Sequence, residues 1–217
     1  MYSIYGPSKV TSVARASDTR TARRVAANRE AILDAAEDLL VEGGVDAITV
    51  DAVAERADVA LQTVYNRVGR RPEVLVAIAE RAVEDNRRYM DAAFAVEGTP
   101  LDRFTAVVAA YVRFAQERPH HFELLSNPPN EPGALQPIAA KIAGQMAKLA
   151  DVLASGMADG SFTSSMDPAN AAVALWAMMD GVLSLRWRAD RTVTDPQRLH
   201  DIIAISQSLV VDGLRSR

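Results

Sequence analysis

Between Val59 and Pro72 the chain carries Gln62, Thr63, Tyr65, Asn66, Arg67, Arg70 and Arg71 and no acidic residue. That set suits nucleic acid: Gln and Asn amides pair bidentately with adenine, while Tyr, Thr and Arg bind the phosphate backbone. Such chemistry needs a rigid carrier, and the flanking residues supply one. Val50, Val53, Ala54 and Ala57 recur at i, i+3, i+4 and i+7, so one helix has a single apolar stripe to bury, with Thr49 ahead of it as N-cap. Asp58-Val59 fits a tight turn, and Leu61 to Asn66 make a second helix of under two turns, held by packing rather than propensity. This is the form of a helix-turn-helix, whose second helix enters the major groove. On these residues alone, a solvated polar helix in an ordinary bundle is the less favoured alternative.

The stretch from Thr49 to Leu75, after a helix ending in Gly43-Gly44, resembles the DNA-binding domain of the TetR (tetracycline-repressor) family of bacterial regulators. The matching features are Thr49 opening the helix, Ala57 and Val59 in an Ala-x-Val turn, and Thr63 followed by Tyr65. Gly69, Arg71, Glu73 and Leu75 complete a Gly-x-basic-x-acidic-x-Leu segment. Three positions depart from the family: Ala60 replaces a frequent capping Ser, Val68 a usual Phe, and Arg71 a typical Lys. The first weakens a cap by roughly 1 kcal/mol. The resemblance implies a ligand-responsive repressor that binds a palindromic operator as a homodimer. On this reading Arg23, Arg24, Thr49, Leu61, Gln62, Thr63, Tyr65, Asn66, Arg70 and Arg71 contact DNA.

The composition, 49% apolar and 24% charged over 217 residues, is that of an ordinary globular protein of one or two domains. With no cysteine there is neither disulfide nor thiolate metal site, which is compatible with a reducing cytoplasm. No apolar run reaches the roughly 18 residues of a membrane span, and MYSIYGPSKV lacks the apolar core of a signal peptide, so a cytoplasmic location is expected. The net charge of −4 speaks against a nucleic-acid binder, but its distribution matters more. Residues 1 to 30 hold Lys9, Arg15, Arg20, Arg23, Arg24 and Arg29 against Asp18 and Glu30, so positive charge gathers in this arm and in the stretch from Val59 to Pro72.

An all-α fold of about nine helices follows from the remaining pattern. Residues 1–22 read as a flexible basic arm, 23–75 as the DNA-binding domain and 76–217 as a sensing and dimerisation domain. Ile32, Ala35, Ala36, Leu39 and Leu40 form the stripe of the first helix, ended by Gly43-Gly44. The helix after Leu75 continues to about Ala95, with Pro72 in its first turn. Thr99-Pro100, Asp167-Pro168 and Asp195-Pro196 each set a capping residue before a proline and start three long helices. SNPPNEPG, from Ser126 to Gly133, breaks the chain between a short helix at Pro119 to Leu125 and one from Leu135 to Met157. The helix from Pro168 to Ala189 is apolar nearly all round and the last helix similarly broad, so both need a second packing surface. In the TetR family this final pair forms the dimer interface.

No GxGxxG, phosphate-loop, GxSxG or HExxH motif occurs, which lowers the case for an enzyme. His120, His121 and Glu123 do not converge on a metal ion, because adjacent helical side chains diverge by about 100°; a solvated helix start after Pro119 is the better reading. No cofactor is expected. Phe104, Tyr111, Phe114, Phe122, Met146, Trp176, Met178 and Met179 fall at helical spacings and suit the wall of an apolar cavity, and the resemblance implies a small apolar or amphipathic ligand there. Asp180 interrupts the apolar run around it and needs a partner, for which a salt bridge across a dimer is favoured over a ligand contact. The rival class is a small helical enzyme or a carrier of lipids or small molecules that binds no DNA.

Overall fold

The computed structural model describes residues 10–128, 136–187 and 195–215, and these hold nine α-helices: α1 Val10–Ala47, α2 Val50–Arg56, α3 Leu61–Arg67, α4 Arg71–Phe94, α5 Pro100–Glu117, α6 Pro119–Ser126, α7 Gln136–Ala158, α8 Pro168–Leu183 and α9 Pro196–Leu214. A 3-10 turn, Ser184–Trp187, extends α8, which therefore ends short of the expected Ala189. Residues 188–194 lie outside the described residues, as does most of SNPPNEPG. Among the described residues the extended structure is confined to an isolated bridge between Phe162 and Arg215. The chain divides into two compact units, Met1–Ile78 and Ala79–Arg217.

In the first unit α1, α2 and α3 pack together around Ile32, Ala36, Leu40, Ile48, Val53 and Val64. The α1 residues of this core keep the i, i+4, i+8 spacing, so one stripe enters it. Full burial of each Ile or Leu contributes on the order of 1.5–3 kcal/mol. α1 begins at Val10, so residues 10–22, expected as a flexible arm, are helical; residues 1–9 lie outside the described residues. Val10 to Arg29 contains neither Gly nor Pro and is rich in Ala and Arg, both strong helix formers. The helix breaks at Gly44, whose φ of 70° belongs to the left-handed region that favours glycine.

The second unit begins within α4 and is a bundle in which α7 packs on α5 and α8, and α8 on α9. Its starts follow local chemistry. The Thr99 side chain accepts from Asp102 N–H while the Asp102 side chain accepts from Thr99 N–H, and Asp167 and Asp195 cap α8 and α9 ahead of their prolines. Two apolar clusters fill it. One joins Met90, Phe104, Val107, Leu153, Phe162 and Val210; the other joins Phe114, Phe122, Met179, Leu183 and Ile203. Gly156 lets the Phe162 ring lie against the α7 backbone, where a β-carbon would stand 2.2 Å from the ring.

Both final helices turn one side inward and leave apolar residues outward. α8 buries Ala171, Ala172, Met179 and Leu183 but exposes Val173 and Met178; α9 buries Ile203, Val210 and Leu214 but leaves Ile205 59% and Leu209 68% exposed. Pro168–Trp187 is by length and composition apolar enough to cross a membrane, which corrects the expectation that no run reaches that length. Alanines raise its hydropathy, while Asn170, Asp180 and Arg186 interrupt it.

Candidate nucleic-acid interface and ligand cavity

α2 and α3 are joined as the sequence demands. Thr49 Oγ1 accepts Ala52 N–H at 3.1 Å, so this residue is the cap of α2. Asp58 takes a φ of 50°, the left-handed conformation that Asp tolerates, and Val59 N–H donates to Ala54 O at 3.0 Å to close the turn. Ala60 begins α3 with no side-chain cap. Val64 is fully buried and anchors α3, leaving two exposed rows at i, i+4 spacing: Leu61 with Tyr65, and Gln62 with Asn66. Gln62 Nε2 donates to Asn66 Oδ1 at 3.0 Å, so the two amides hold each other in register. Thr63 is half-buried and presents less of itself.

Positive charge is distributed differently from the expectation. Arg23 and Arg24 are exposed on α1. Thr21, Val25 and Arg29 of α1 share a surface depression with Asn66 and Arg67 of α3, bringing two arginines of distant sequence together. Arg70 is exposed, and its backbone N–H donates to Glu73 Oε2 at 2.8 Å. Arg71 turns inward: Nε donates to Ile48 O at 2.7 Å and Nη2 to Val45 O at 2.9 Å. Val45 lies in the last turn of α1 and Ile48 in the link to α2, so the guanidinium ties the helix end to the link and is held by the fold.

The second unit holds a cavity of about 160 Å³ whose wall includes Phe104, Tyr111, Phe114, Phe122, Met146, Trp176 and Met179, whereas Met178, also named from sequence, is exposed on the other side of α8. It draws its wall from both apolar clusters. The sequence reading missed Asn86 and Gln145. Their signal was a polar residue in an apolar stripe, at Asn86 in the series Ala79, Val83, Asn86, Met90, Ala93 and at Gln145 in Ile138, Ile142, Gln145, Leu149, Val152.

Asp180 finds partners within its own chain. Among the described residues its partners are hydroxyls rather than a cation: Tyr111 Oη donates to Asp180 Oδ1 at 3.0 Å and Ser126 Oγ donates to the same oxygen at 2.9 Å. Trp176 Nε1 donates to Tyr111 Oη at 3.1 Å and completes the chain. Burial first, then the Asp180 charge, pushes the Tyr111 hydroxyl well above the usual tyrosine range. His121 is not solvated either. The His121 side chain is 11% exposed with Nδ1 3.0 Å from Asp85 Oδ2, because α6 packs into the bundle through Phe122 and Leu124.

Two family models match the two halves of this architecture: one described as bacterial regulatory proteins, tetR family, over residues 32–68, and one described as tetracyclin repressor-like, C-terminal domain, over residues 104–204. The chain belongs to the TetR family. It is 36% identical over 91 residues to the HTH-type transcriptional repressor KstR of Mycolicibacterium smegmatis, a match covering 42% of this chain and 45% of that protein. The chain thus spans less than half the length of this curated relative. A Rhodococcus sp. RHA1 protein of unknown function shares the TetR fold of this chain, with a TM-score of 0.73 at 22% identity over 87% of this chain and 96% of that one. FadR of Bacillus subtilis, solved in complex with stearoyl-CoA, does so at 0.68 and 18% identity over 86% and 99%. The Gly69, Arg71 and Glu73 segment of the TetR resemblance is structural here. Gly69 adopts a φ of 132° that an L side chain rarely takes, while Arg71 and Glu73 tie the start of α4 to its surroundings.

Proposed function

We propose that this TetR-family chain is a transcriptional repressor of the cytoplasm that binds a palindromic operator as a homodimer and releases it when a small apolar molecule fills the cavity. The observation that carries this reading is α3, where Val64 alone is buried and Gln62, Tyr65 and Asn66 stand exposed together beside Arg67. A carrier or enzyme whose N-terminal helices merely cover a pocket gains nothing from such a surface. Leu61, Gln62 and Asn66 read base edges; Tyr65, Arg67, Arg70, Arg23 and Arg24 bind phosphates.

The apolar outer sides of α8 and α9 fit against a second copy, and a two-fold pair sets two α3 helices about 34 Å apart on successive major grooves. The name of the KstR relative as a repressor and the stearoyl-CoA bound to FadR support repression and an apolar effector. α4 is the covalent link, with Arg71 clasping the α1–α2 break at its start and Asn86 and Met90 on the cavity wall further along. An effector shifts the operator equilibrium only by its differential affinity for the two states, typically about 5- to 150-fold.

Selection of bound fragments from the source genome, followed by titration at several salt concentrations, tests the reading. A recovered palindrome with a steep salt dependence is expected. Binding that is weak and indifferent to sequence overturns it.

A further inference from the structure

The cavity wall holds two amides that find no acceptor. Asn86 on α4 is 6% exposed and Gln145 on α7 is 9% exposed, and neither Asn86 Nδ2 nor Gln145 Nε2 has a hydrogen-bond partner among the described residues. A buried N–H left unpaired is costly and uncommon, and an apolar residue would serve packing better at both stripe positions. Lys148 of α7 reaches Asp91 of α4 at 2.5 Å, and both amides line the cavity.

Of the other polar wall residues, Thr105 Oγ1 donates to Leu101 O, Trp176 and Tyr111 spend their donors in the chain that ends on Asp180, and Gln207 is half-buried. Among the described residues the wall contains no Lys, Arg or His, and Asp180 is the one carboxyl group. A carboxylate ligand would be buried without a countercharge and beside a like charge.

We propose that the cavity selects neutral apolar molecules bearing a carbonyl oxygen, the ketone, ester or amide class, with the Asn86 and Gln145 amides donating to that oxygen, and that it rejects free carboxylates. The inference rests on the reading of the cavity as the effector site and adds the chemistry of the effector. The carbonyl has two lone pairs for two donors, and the remainder of the molecule lies against Phe104, Met146 and Met179.

Tryptophan emission reports occupancy, since Trp176 lines the cavity and Trp187 stacks on Phe122 at 5.4 Å between ring centroids. The intact chain is titrated with cyclododecanone, cyclododecane and cyclododecanecarboxylate above neutral pH, then again as the Asn86→Leu/Gln145→Met double variant. The ketone-to-hydrocarbon affinity ratio is expected to fall about tenfold or more in the double variant, and the carboxylate to bind the unaltered chain at least about tenfold more weakly than the ketone. Retained hydrocarbon binding marks a folded variant; if the double variant does not fold, each single substitution lowers the same ratio by a smaller factor. An unchanged ratio, or a carboxylate that binds as well as the ketone, overturns the inference and leaves an effector site of other chemistry. If none of the three moves the emission, the effector reading of the cavity falls and the inference with it.

Discussion

Arg71 Nε donates to the carbonyl oxygen of Ile48 at 2.7 Å, so a cation that sequence pattern assigns to a DNA phosphate is committed inside the fold. The second donor, to Val45 O, closes a clasp over the chain between α1 and α2. The neighbouring Arg67 and Arg70 are exposed and free of that duty.

Arg71→Ala is therefore expected to lower stability by about 2 kcal/mol through the loss of charged hydrogen bonds to half-buried carbonyls, and to weaken binding to every DNA sequence only as a consequence. Arg67→Ala should leave stability within about 0.5 kcal/mol and reduce the salt slope of DNA binding by about one. Thermal denaturation beside salt titration separates the two. Equal stability of both variants would remove the clasp.

Tyr65→Phe is expected to weaken binding across sequences, whereas Gln62→Ala changes which sequence is preferred. Gln62 and Asn66 are paired in the free protein, so the variant also leaves Asn66 without its holder. Competition between selected and random DNA decides it. An unaltered preference would leave the reading role to Leu61 and Asn66 or pass it to Thr63.

Leu209→Asp places a charge on the most exposed large apolar residue among the described residues. The unaltered chain should sediment as a dimer at micromolar concentration and the variant as a monomer with operator affinity lost. A monomeric unaltered chain, or tight binding to a single half-site, would refute the proposed assembly.

Tyr111 keeps its proton in the folded chain beyond the pH at which an unfolded tyrosine, near about 10, gives it up. The native state then binds more protons than the unfolded state, so this residue's contribution is whole below about pH 10 and declines as pH rises towards the folded value. Tyr111→Phe should flatten the alkaline fall in stability, measured by denaturant unfolding from pH 8 upward. Parallel curves for the two proteins would count against the buried hydroxyl chain.

What could be read from the sequence was local. Thr99-Pro100, Asp167-Pro168 and Asp195-Pro196 start helices because a cap and a fixed φ act within one turn, and all three lie where expected. Seven of the aromatic and Met positions reach the cavity because helical spacing sorts them onto inner faces. The partners of Arg71 and Asp180 were hidden because they come from far along the chain, 23 and 69 residues away for Ile48 and Tyr111. Asn86 and Gln145 were legible as interruptions of their stripes, but only the cavity gives those interruptions a meaning.

Gly156 lies outside the cavity, yet it governs one of its walls. A β-carbon there would displace the Phe162 ring, which meets Phe104 edge-on at 6.2 Å between centroids, and Phe104 faces the cavity. On the proposed effector reading, the size of molecule admitted is thus heritable through a position outside the cavity wall. A biosensor could be retuned at Gly156 while every residue of the binding surface keeps its identity.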